Sequence, residues 1–316
     1  MTTFYTTASQ MIILFTLVGI GFAMRRKGVM NDEFDGKLSF LVINVAMPAM
    51  IISSVLSSSD LPSTHTICEI LMWGTACYIF VIFVAIIVAN VLRTDSKTRG
   101  TLEYLMVFGN VGFIGFPVLN CIFGPEAVLY GAVFNIPATF FTWSAGVLML
   151  SMREKGEKKA STKETLIGLG KAMMSPCMIS CFAALALIMG HVTDSGVIGQ
   201  TFEFAGQLCV PGAMLIVGSS IGKMPLKEMF TNARPYVATL FRLLVIPFAV
   251  YFVFSFFITD HLLLGVITIC AAMPAASSGT MMCIDFGGNL KTMTQGTFLS
   301  TVFSLGTIPT VAAVLI

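Results

Sequence analysis

The stretch Gly109–Pro117, with the sequence GNVGFIGFP, lies inside the apolar run Leu102–Phe123, which is long enough to cross a bilayer. It contains three glycines, an asparagine and a proline. These residues disfavour a regular helix, because glycine is flexible and proline has no N–H group to donate. Opened backbone is tolerated at membrane depth only where protein buries it or water reaches it. The stretch therefore predicts an interrupted helix at a functional site, with a kinked, tightly packed helix as the alternative.

A second stretch of the same kind, Ala271–Gly279 (AAMPAASSG), lies inside the apolar run Leu262–Phe286. Two interrupted spans, one in each half of a chain, are typical of secondary transporters, which bind substrate near the midplane of the bilayer. The pair therefore favours the functional interpretation over simple kinked packing. It predicts helix breaks at Pro117 and Pro274.

The composition is that of an integral membrane protein in contact with the lipid bilayer. Of the 316 residues, 56% are hydrophobic and 11% are charged, and the mean hydropathy is +0.89, whereas soluble domains carry about 25% charged residues. The net charge of +2 does not indicate a nucleic-acid partner. The eight cysteines lie in or beside apolar runs without the spacing of a zinc site. We therefore expect free thiols, no metal and no cofactor.

The apolar runs predict an all-α fold with ten transmembrane helices, because about 20 apolar residues cross a bilayer. The ten predicted spans are Ala8–Met24, Leu38–Leu56, Ile67–Leu92, Leu102–Phe123, Val128–Met149, Leu166–Met189, Val197–Ile221, Tyr236–Ile258, Leu262–Phe286 and Met293–Ile316. The fourth and ninth spans contain the two interrupted stretches. The connections are too short to hold a folded domain.

The distribution of basic residues predicts the orientation. Of the 18 lysines and arginines, all but Arg242 lie in or next to the connections on one side of the predicted bundle. The opposite connections, 57–66, 124–127, 190–196 and 259–261, contain none. Since positively charged loops stay in the cytoplasm, we expect a multi-pass plasma membrane protein with both termini outside.

The chain also shows signs of an internal repeat. A shift of 163 residues matches Pro48 with Pro211, Pro62 with Pro225, and Phe123-Gly124 with Phe286-Gly287. Five spans per half would insert the second half upside down, as in inverted-repeat transporters. The predicted division is a first repeat over residues 1–150, a cytoplasmic linker over 151–163 and a second repeat over 164–316.

The interrupted stretches supply the first candidate site residues. Unpaired N–H groups at the N-terminus of a half-helix suit an anion, and Asn110 adds an amide that donates and accepts hydrogen bonds. Gly112 lets a ligand approach the backbone, and Pro274, Ser277 and Ser278 lie at or beside the second break. The alternative is that small residues only allow two helices to cross closely.

Three more polar residues lie within spans. Asn44 and Asn135 each precede a proline in an apolar helix, where an unpaired amide is costly, so each lines a cavity or bonds to another helix. Arg242 is the one basic residue well inside a span. It either extends back to the cytoplasmic surface or faces inward as the counter-charge for a carboxylate.

Acidic residues within spans are as rare. Glu203 and Asp285 are the candidates for binding a coupling ion, H+ or Na+. The alternatives are that Glu203 reaches the outer surface and that Asp285 caps a helix end.

Several of these motifs together resemble the auxin efflux carrier family over nearly the whole chain. They are Asn44–Ala49 (NVAMPA), Gly109–Pro117 with the following Phe123-Gly124, Met273–Ala276 (MPAA), Asp285–Gly287 (DFG) and Ser300-Thr301.

The resemblance implies a ten-helix inverted-repeat carrier related to the bile acid:sodium symporters. Spans one, two, six and seven would form a scaffold that dimerises, and the other spans a moving unit in which spans four and nine cross at their breaks. By position, Asn110 matches the family's crossover asparagine. Asn135 lies where plant members have a polar residue, and Arg242 resembles a basic residue on their eighth span.

These observations predict a secondary transporter, and not an enzyme, for a small organic anion such as a mono- or dicarboxylate. A sodium-coupled symporter of the bile acid type is the nearest alternative. An intramembrane enzyme is the alternative from another class, but the sequence contains no HExxH motif, and it lacks the GxxxxGK[ST] motif of an ATP-driven pump.

Overall fold

The computed structural model describes residues 2–58, 61–92, 94–151, 162–193, 196–223, 233–276 and 278–315. Within these ranges the regular structure is helical, apart from one isolated antiparallel bridge between Gly109 and Ala275. The helices in chain order are α1 (Thr2–Arg26), α2 (Asp32–Leu56), α3 (Thr64–Val91), α4 (Ser96–Val107), α5 (Val111–Phe123), α6 (Pro125–Leu150), α7 (Thr162–Met173), α8 (Pro176–Met189), α9 (Val197–Gly222), α10 (Arg234–Phe254), α11 (His261–Ala272), α12 (Ser278–Phe286) and α13 (Leu290–Leu315).

Six of the described helices are long and apolar enough to cross a bilayer: α2, α3, α6, α9, α10 and α13. Helices α5, α8 and α11 are apolar but shorter, because the chain is interrupted within the predicted fourth, sixth and ninth spans. The predicted all-helical membrane class is therefore confirmed. The count of ten spans and the division into two repeats stay predictions.

The interruption in the sixth span was not expected from the sequence, which predicted one helix over Leu166–Met189. Helix α7 ends at Met173, and α8 begins at Pro176. The Ser175 side chain accepts a hydrogen bond from the Met178 N–H at 3.4 Å. A serine cap followed by proline at the first helical position is a helix start signal, and here it begins a new helix inside an apolar run.

Three prolines within helices follow wider, π-helical turns and do not break the helix. The three pairs are Val42–Ala46 before Pro48, Val111–Gly115 before Pro117, and Phe241–Val245 before Pro247. The backbone keeps right-handed helical dihedrals across each junction. A π-helical turn locally shifts the register of the backbone hydrogen bonds. The helix can therefore continue through a proline, which has no N–H group to donate.

Four described residues have a backbone φ in the left-handed region: Gly28 (75°), Gly124 (87°), His191 (50°) and Gly287 (83°). Gly124 and Gly287 end the half-helices α5 and α12, where glycine is favoured because a Cβ disfavours this conformation. Gly28 and His191 are 163 residues apart, and so are Gly124 and Gly287. This is the shift at which the sequence motifs match.

Helices α1, α2, α8 and α9 form one packed group. Helix α1 lies along α9 at very short range, because a Cβ on Gly21 would overlap the backbone of Leu215, and a Cβ on Gly218 would overlap the backbone of Val18. Gly206 of α9 lies in the same way against the backbone of Met50 in α2. Small residues allow such close crossings in membranes.

The remaining packing brings the two interruptions together. Helix α3 packs against α4 and α6, α10 packs against α11 and α13, and α13 also contacts α4. The first group touches this second group where α2 and α8 contact α6 and where α1 contacts α13. The two interrupted helices thus lie in the second group, close to its boundary with the first.

Candidate functional site

Both interrupted stretches leave the helical conformation for a few residues. Helix α4 ends at Val107 and is followed by Phe108, whose φ of −99° and ψ of 107° are extended, and α5 begins after Asn110. Helix α11 ends at Ala272 and is followed by Met273, which is also extended, with a φ of −64° and a ψ of 143°. Pro274 lies within this second interruption, as predicted. The first interruption lies at Phe108–Asn110 and not at Pro117, because the π-helical turn keeps the helix continuous at that proline.

The two interruptions cross and are hydrogen-bonded to each other. The Asn110 N–H donates to the Pro274 carbonyl at 2.8 Å, and the Ala276 N–H donates to the Phe108 carbonyl at 3.0 Å. The Ala275 N–H donates to Ser300 Oγ of α13 at 3.0 Å. This short antiparallel pairing pairs backbone groups that would otherwise be unsatisfied in a membrane.

Arg242 lies on the side of the crossing where α4 and α11 end. Its side chain is buried, with 2% of its surface exposed. Its Nε donates to the Met273 carbonyl at 2.8 Å, and its Nη1 donates to the Met106 and Val107 carbonyls at 3.1 and 2.7 Å. Its Nη2 donates to the Cys270 carbonyl at 3.2 Å. Arg242 therefore does not extend back to the surface, because its guanidinium is bound to the backbone of both interrupted helices.

Gly109 is required by this arrangement. A Cβ at this position would overlap Arg242 Nη2. A glycine that looks in the sequence like a flexible breaker is thus needed for the close approach of the arginine to the backbone.

The residues whose carbonyl groups bind Arg242 are apolar and buried: Met106, Val107, Cys270 and Met273. We call this region, with Arg242 and the carbonyl groups that it binds, the carbonyl side of the crossing.

The other side, which we call the amide side, is where α5 and α12 begin. Asn110 is 7% exposed, and its Oδ1 accepts a hydrogen bond from the Phe113 N–H at 3.1 Å. It is thus the N-cap of α5. Ser278 is the first residue of α12 and is exposed.

Two cavities reach the amide side and share Asn110, Ser278, Ile43 and Phe113 in their linings. The serine–threonine cavity, of about 460 Å³, is further lined by hydroxyl groups from α2, α9, α12 and α13. These are Ser39, Ser220, Thr280, Thr297 and Thr301.

The asparagine cavity, of about 330 Å³, is lined by Gly112, Asn135, Thr139 and Thr142, among others. Asn135 Nδ2 faces the sulfur atom of Met178 at 3.5 Å, which is a weak acceptor. None of the described residues lining either cavity has a charged side chain. A negative ligand there would therefore meet helix N-termini, amides and hydroxyls.

Several candidate residues lie elsewhere or remain undescribed. The Asn44 amide donates to the Phe40 carbonyl of its own helix at 2.8 Å, and neither Asn44 nor Arg242 is among the described residues that line the two cavities. Ser277 and the side chain of Asp285 lie outside the described part of the chain.

Glu203 is exposed and lines a third cavity, of about 330 Å³, together with Ser53, Ser57, Asn120 and Gln207. This Glu203 cavity lies at the opposite ends of α2 and α9 from the serine–threonine cavity. The two are therefore separated along the same pair of helices.

The sequence analysis used Ser300-Thr301 only as a family motif and did not name the hydroxyl residues of α13 as candidate site residues. Thr297 and Thr301 line a cavity, and Ser300 binds the second interruption. Their signal in the sequence is a set of hydroxyl residues three and four positions apart in an apolar helix, which lie on one helical face.

The start of α4 lies outside the predicted span and carries an acidic cap. Asp95 Oδ2 accepts a hydrogen bond from the Thr98 N–H at 2.9 Å. This backbone hydrogen bond holds the pKa of Asp95 below its ordinary value. The carboxylate thus stabilises the N-terminus of the helix whose other end binds Arg242.

Comparison with known proteins identifies the family. The model of a family described as "Membrane transport protein" matches residues 6–312. The chain belongs to this family. It is the auxin efflux carrier family that the motifs resemble, so that resemblance is confirmed.

Two relatives of this family member are similar along almost their whole length. An uncharacterized transporter from Methanocaldococcus jannaschii is 23% identical over 300 residues, which cover 93% of this chain and 94% of the relative. An uncharacterized transporter from Methanothermobacter thermautotrophicus is 25% identical over 322 residues, which cover 99% of each chain. Membership of this family makes the chain a membrane transport protein.

Proposed function

We propose that the protein is a secondary transporter that moves a small organic anion, a mono- or dicarboxylate, across the plasma membrane, and that it is not an enzyme. The observation that carries this proposal is the amide side of the crossing. There, two helix N-termini, Asn110 and Ser278 meet two cavities whose described linings carry no charge. Helix N-termini favour anions, and an uncharged pocket releases its ligand more readily than one with a fixed counter-charge.

The proposed architecture is ten transmembrane helices in a five-plus-five inverted repeat. The left-handed residues support it, because Gly28 and His191, and likewise Gly124 and Gly287, are separated by the 163-residue shift of the sequence motifs. The antiparallel bridge between Gly109 and Ala275 also supports it, since it joins one interruption from each half of the chain in opposite directions.

The positions of the cavities support alternating access as the proposed mechanism. The serine–threonine cavity includes Ser39 and Ile221, near the basic residues Lys37 and Lys223, whereas the Glu203 cavity lies at the other ends of α2 and α9. With basic loops in the cytoplasm and both termini outside, the serine–threonine cavity would face the cytoplasm and the Glu203 cavity would face outward. Movement of the crossing relative to α1, α2, α8 and α9, which we propose form a homodimeric scaffold, would bring the amide side to each cavity in turn.

The proposal is tested with purified protein in proteoliposomes. Saturable uptake of radiolabelled malonate, malate or short monocarboxylates supports it, and absence of flux for every organic acid in the panel overturns it. Turnover without translocation would indicate an intramembrane enzyme. Flux that persists when choline replaces sodium but collapses with an uncoupler assigns the coupling to H+, for which Glu203 and Asp285 are the candidate residues, and the converse result identifies a sodium-coupled symporter.

A further inference from the structure

The carbonyl side of the crossing presents an electrostatic problem that the chain must solve internally. The last carbonyl groups of a helix have no partners within the helix, and each helix C-terminus carries about half a negative charge. At this crossing the C-termini of α4 and α11 face one another in an apolar region. Without a partner, these carbonyls would be unsatisfied at membrane depth.

Arg242 is the hydrogen-bond donor to these carbonyl groups at both helix ends. Its three guanidinium nitrogens donate to four carbonyls, two from the last turn of α4, one from α11 and one from the Met273 cap that follows it. One positive charge balances the two half-charges of the helix ends. No carboxylate among the described residues forms an ion pair with Arg242, and its guanidinium donates to backbone carbonyl groups instead.

The position of Gly109 shows that this fit is tight. Gly109 lines the asparagine cavity on one face, while a Cβ on it would overlap Arg242 Nη2. The Gly109 backbone therefore lies between Arg242 and the cavity, and Arg242 is not among the described residues that line it.

We propose that Arg242 is a positioning residue for transport: it joins the two interrupted helices at their carbonyl ends and so sets the spacing of the two N-termini that bind the anion, without touching the substrate itself. This inference rests on the proposed transport function. The fixed, planar set of guanidinium donors is essential to it, because a lysine ammonium has three donors on one nitrogen and cannot place donors at the three separate nitrogen positions from which Arg242 binds four carbonyls.

The test compares Arg242→Lys, Arg242→Met and Gly109→Ala in proteoliposomes, with Gly306→Ala as the matched control, since a Cβ at Gly306 meets nothing within 4 Å. We expect all three test variants to raise the KM for the transported carboxylate by about tenfold or more, and the control to leave it unchanged. An Arg242→Lys protein with wild-type KM would overturn the proposal, because charge alone would then suffice. A wild-type KM in Gly109→Ala would overturn it as well.

A second measurement needs no transport. Cys270, whose carbonyl binds Arg242, is buried, while Cys68 is exposed. Peptide mass spectrometry after N-ethylmaleimide treatment should find Cys68 modified in every protein, and Cys270 modified only in the three test variants. Cys270 that stays protected in folded Arg242→Lys and Gly109→Ala would overturn the proposal. If the wild type carries no organic anion, the proposed function fails, but the Cys270 pattern still decides whether Arg242 joins the helices.

Discussion

The two sides of the crossing are built from the same two stretches of backbone, yet they differ in their polar partners and in charge. On the carbonyl side, Arg242 is buried and binds four carbonyl groups. On the amide side, the N-termini of α5 and α12 open to cavities lined by hydroxyls and amides, with no charged side chain among the described lining residues. The positive charge of Arg242 balances the partial negative charges of the two helix C-termini. The partial positive charges of the two N-termini are left to solvent or ligand.

The difference suggests why a carboxylate suits this site. Two helix N-termini carry about half a positive charge each, so together they match one carboxylate group, as Arg242 matches the two C-termini. The amide side would then bind one negative group, and a second carboxylate of a dicarboxylate would have to lie further out in a cavity. Substitutions on the amide side therefore test most directly whether the two sides of the crossing differ in this way.

The largest expected effect is that of Asn110→Asp. Aspartate is as good an N-cap as asparagine, so α5 should stay capped and the protein folded. The new negative charge would, however, repel an anion at the amide side, and we expect carboxylate uptake in proteoliposomes to fall by about 100-fold or more. Asn90→Asp, at an exposed position at the end of α3, is the matched control. Normal uptake by Asn110→Asp with a normal thermal stability would show that no anion binds beside Asn110.

A smaller effect is expected from Ser278→Ala. Ser278 lines both cavities at the start of α12, and loss of one hydroxyl hydrogen bond costs about 0.5–1.5 kcal/mol, or roughly 2- to 12-fold in affinity. We expect KM to rise within that range while the maximal rate changes less. Ser255→Ala, at an exposed position whose hydroxyl binds its own helix, should leave KM unchanged. If the two substitutions have the same effect, the N-terminus of α12 is not part of the site.

The sequence predicted the two interruptions because glycine and proline act locally, and their effect on a helix can be read without knowing the fold. The partners of Arg242 could not be predicted in this way. They are backbone carbonyls, which every residue has, and they come from α4 and α11, far from Arg242 in the chain. From residue types alone, the Arg242 side chain could be expected either to extend to the membrane surface or to bind a substrate carboxylate. In the structure it is buried, and it pairs with no side-chain carboxylate among the described residues.

The structure differs from the sequence-based expectations at two further places, Asn44 and the start of α8, for opposite reasons. Asn44 satisfies its amide on the Phe40 carbonyl one turn earlier, a local solution that removes the need for a cavity or a second helix. The break before α8 was visible, since Ser175-Pro176 is a helix start signal, but the apolar run around it suggested a single continuous span. Composition decides which segments lie in the membrane, whereas caps and prolines decide where helices begin within them.

The smallest expected effect lies at the far end of α4, away from the crossing. The Asp95 carboxylate caps this helix through the Thr98 N–H, and its pKa is held below the ordinary value of 3.8. A depressed pKa means that the stabilisation is fully present above that ordinary value and is lost as the pH falls through the lower pKa of the folded protein. Asp95→Ala should therefore reduce stability by about 1 kcal/mol at neutral pH, and by less in acid, where the wild type also loses its charged cap. Asp95→Asn should keep most of the cap at both pH values. Thermal unfolding of the wild type, Asp95→Ala and Asp95→Asn at neutral and acid pH measures these differences in stability.

The KM for the transported carboxylate should stay unchanged in both variants, since Asp95 is distant from the amide side. A change in KM would mean that the N-terminal end of α4 also sets the geometry of the crossing, and that the carbonyl side is not fixed by Arg242 alone.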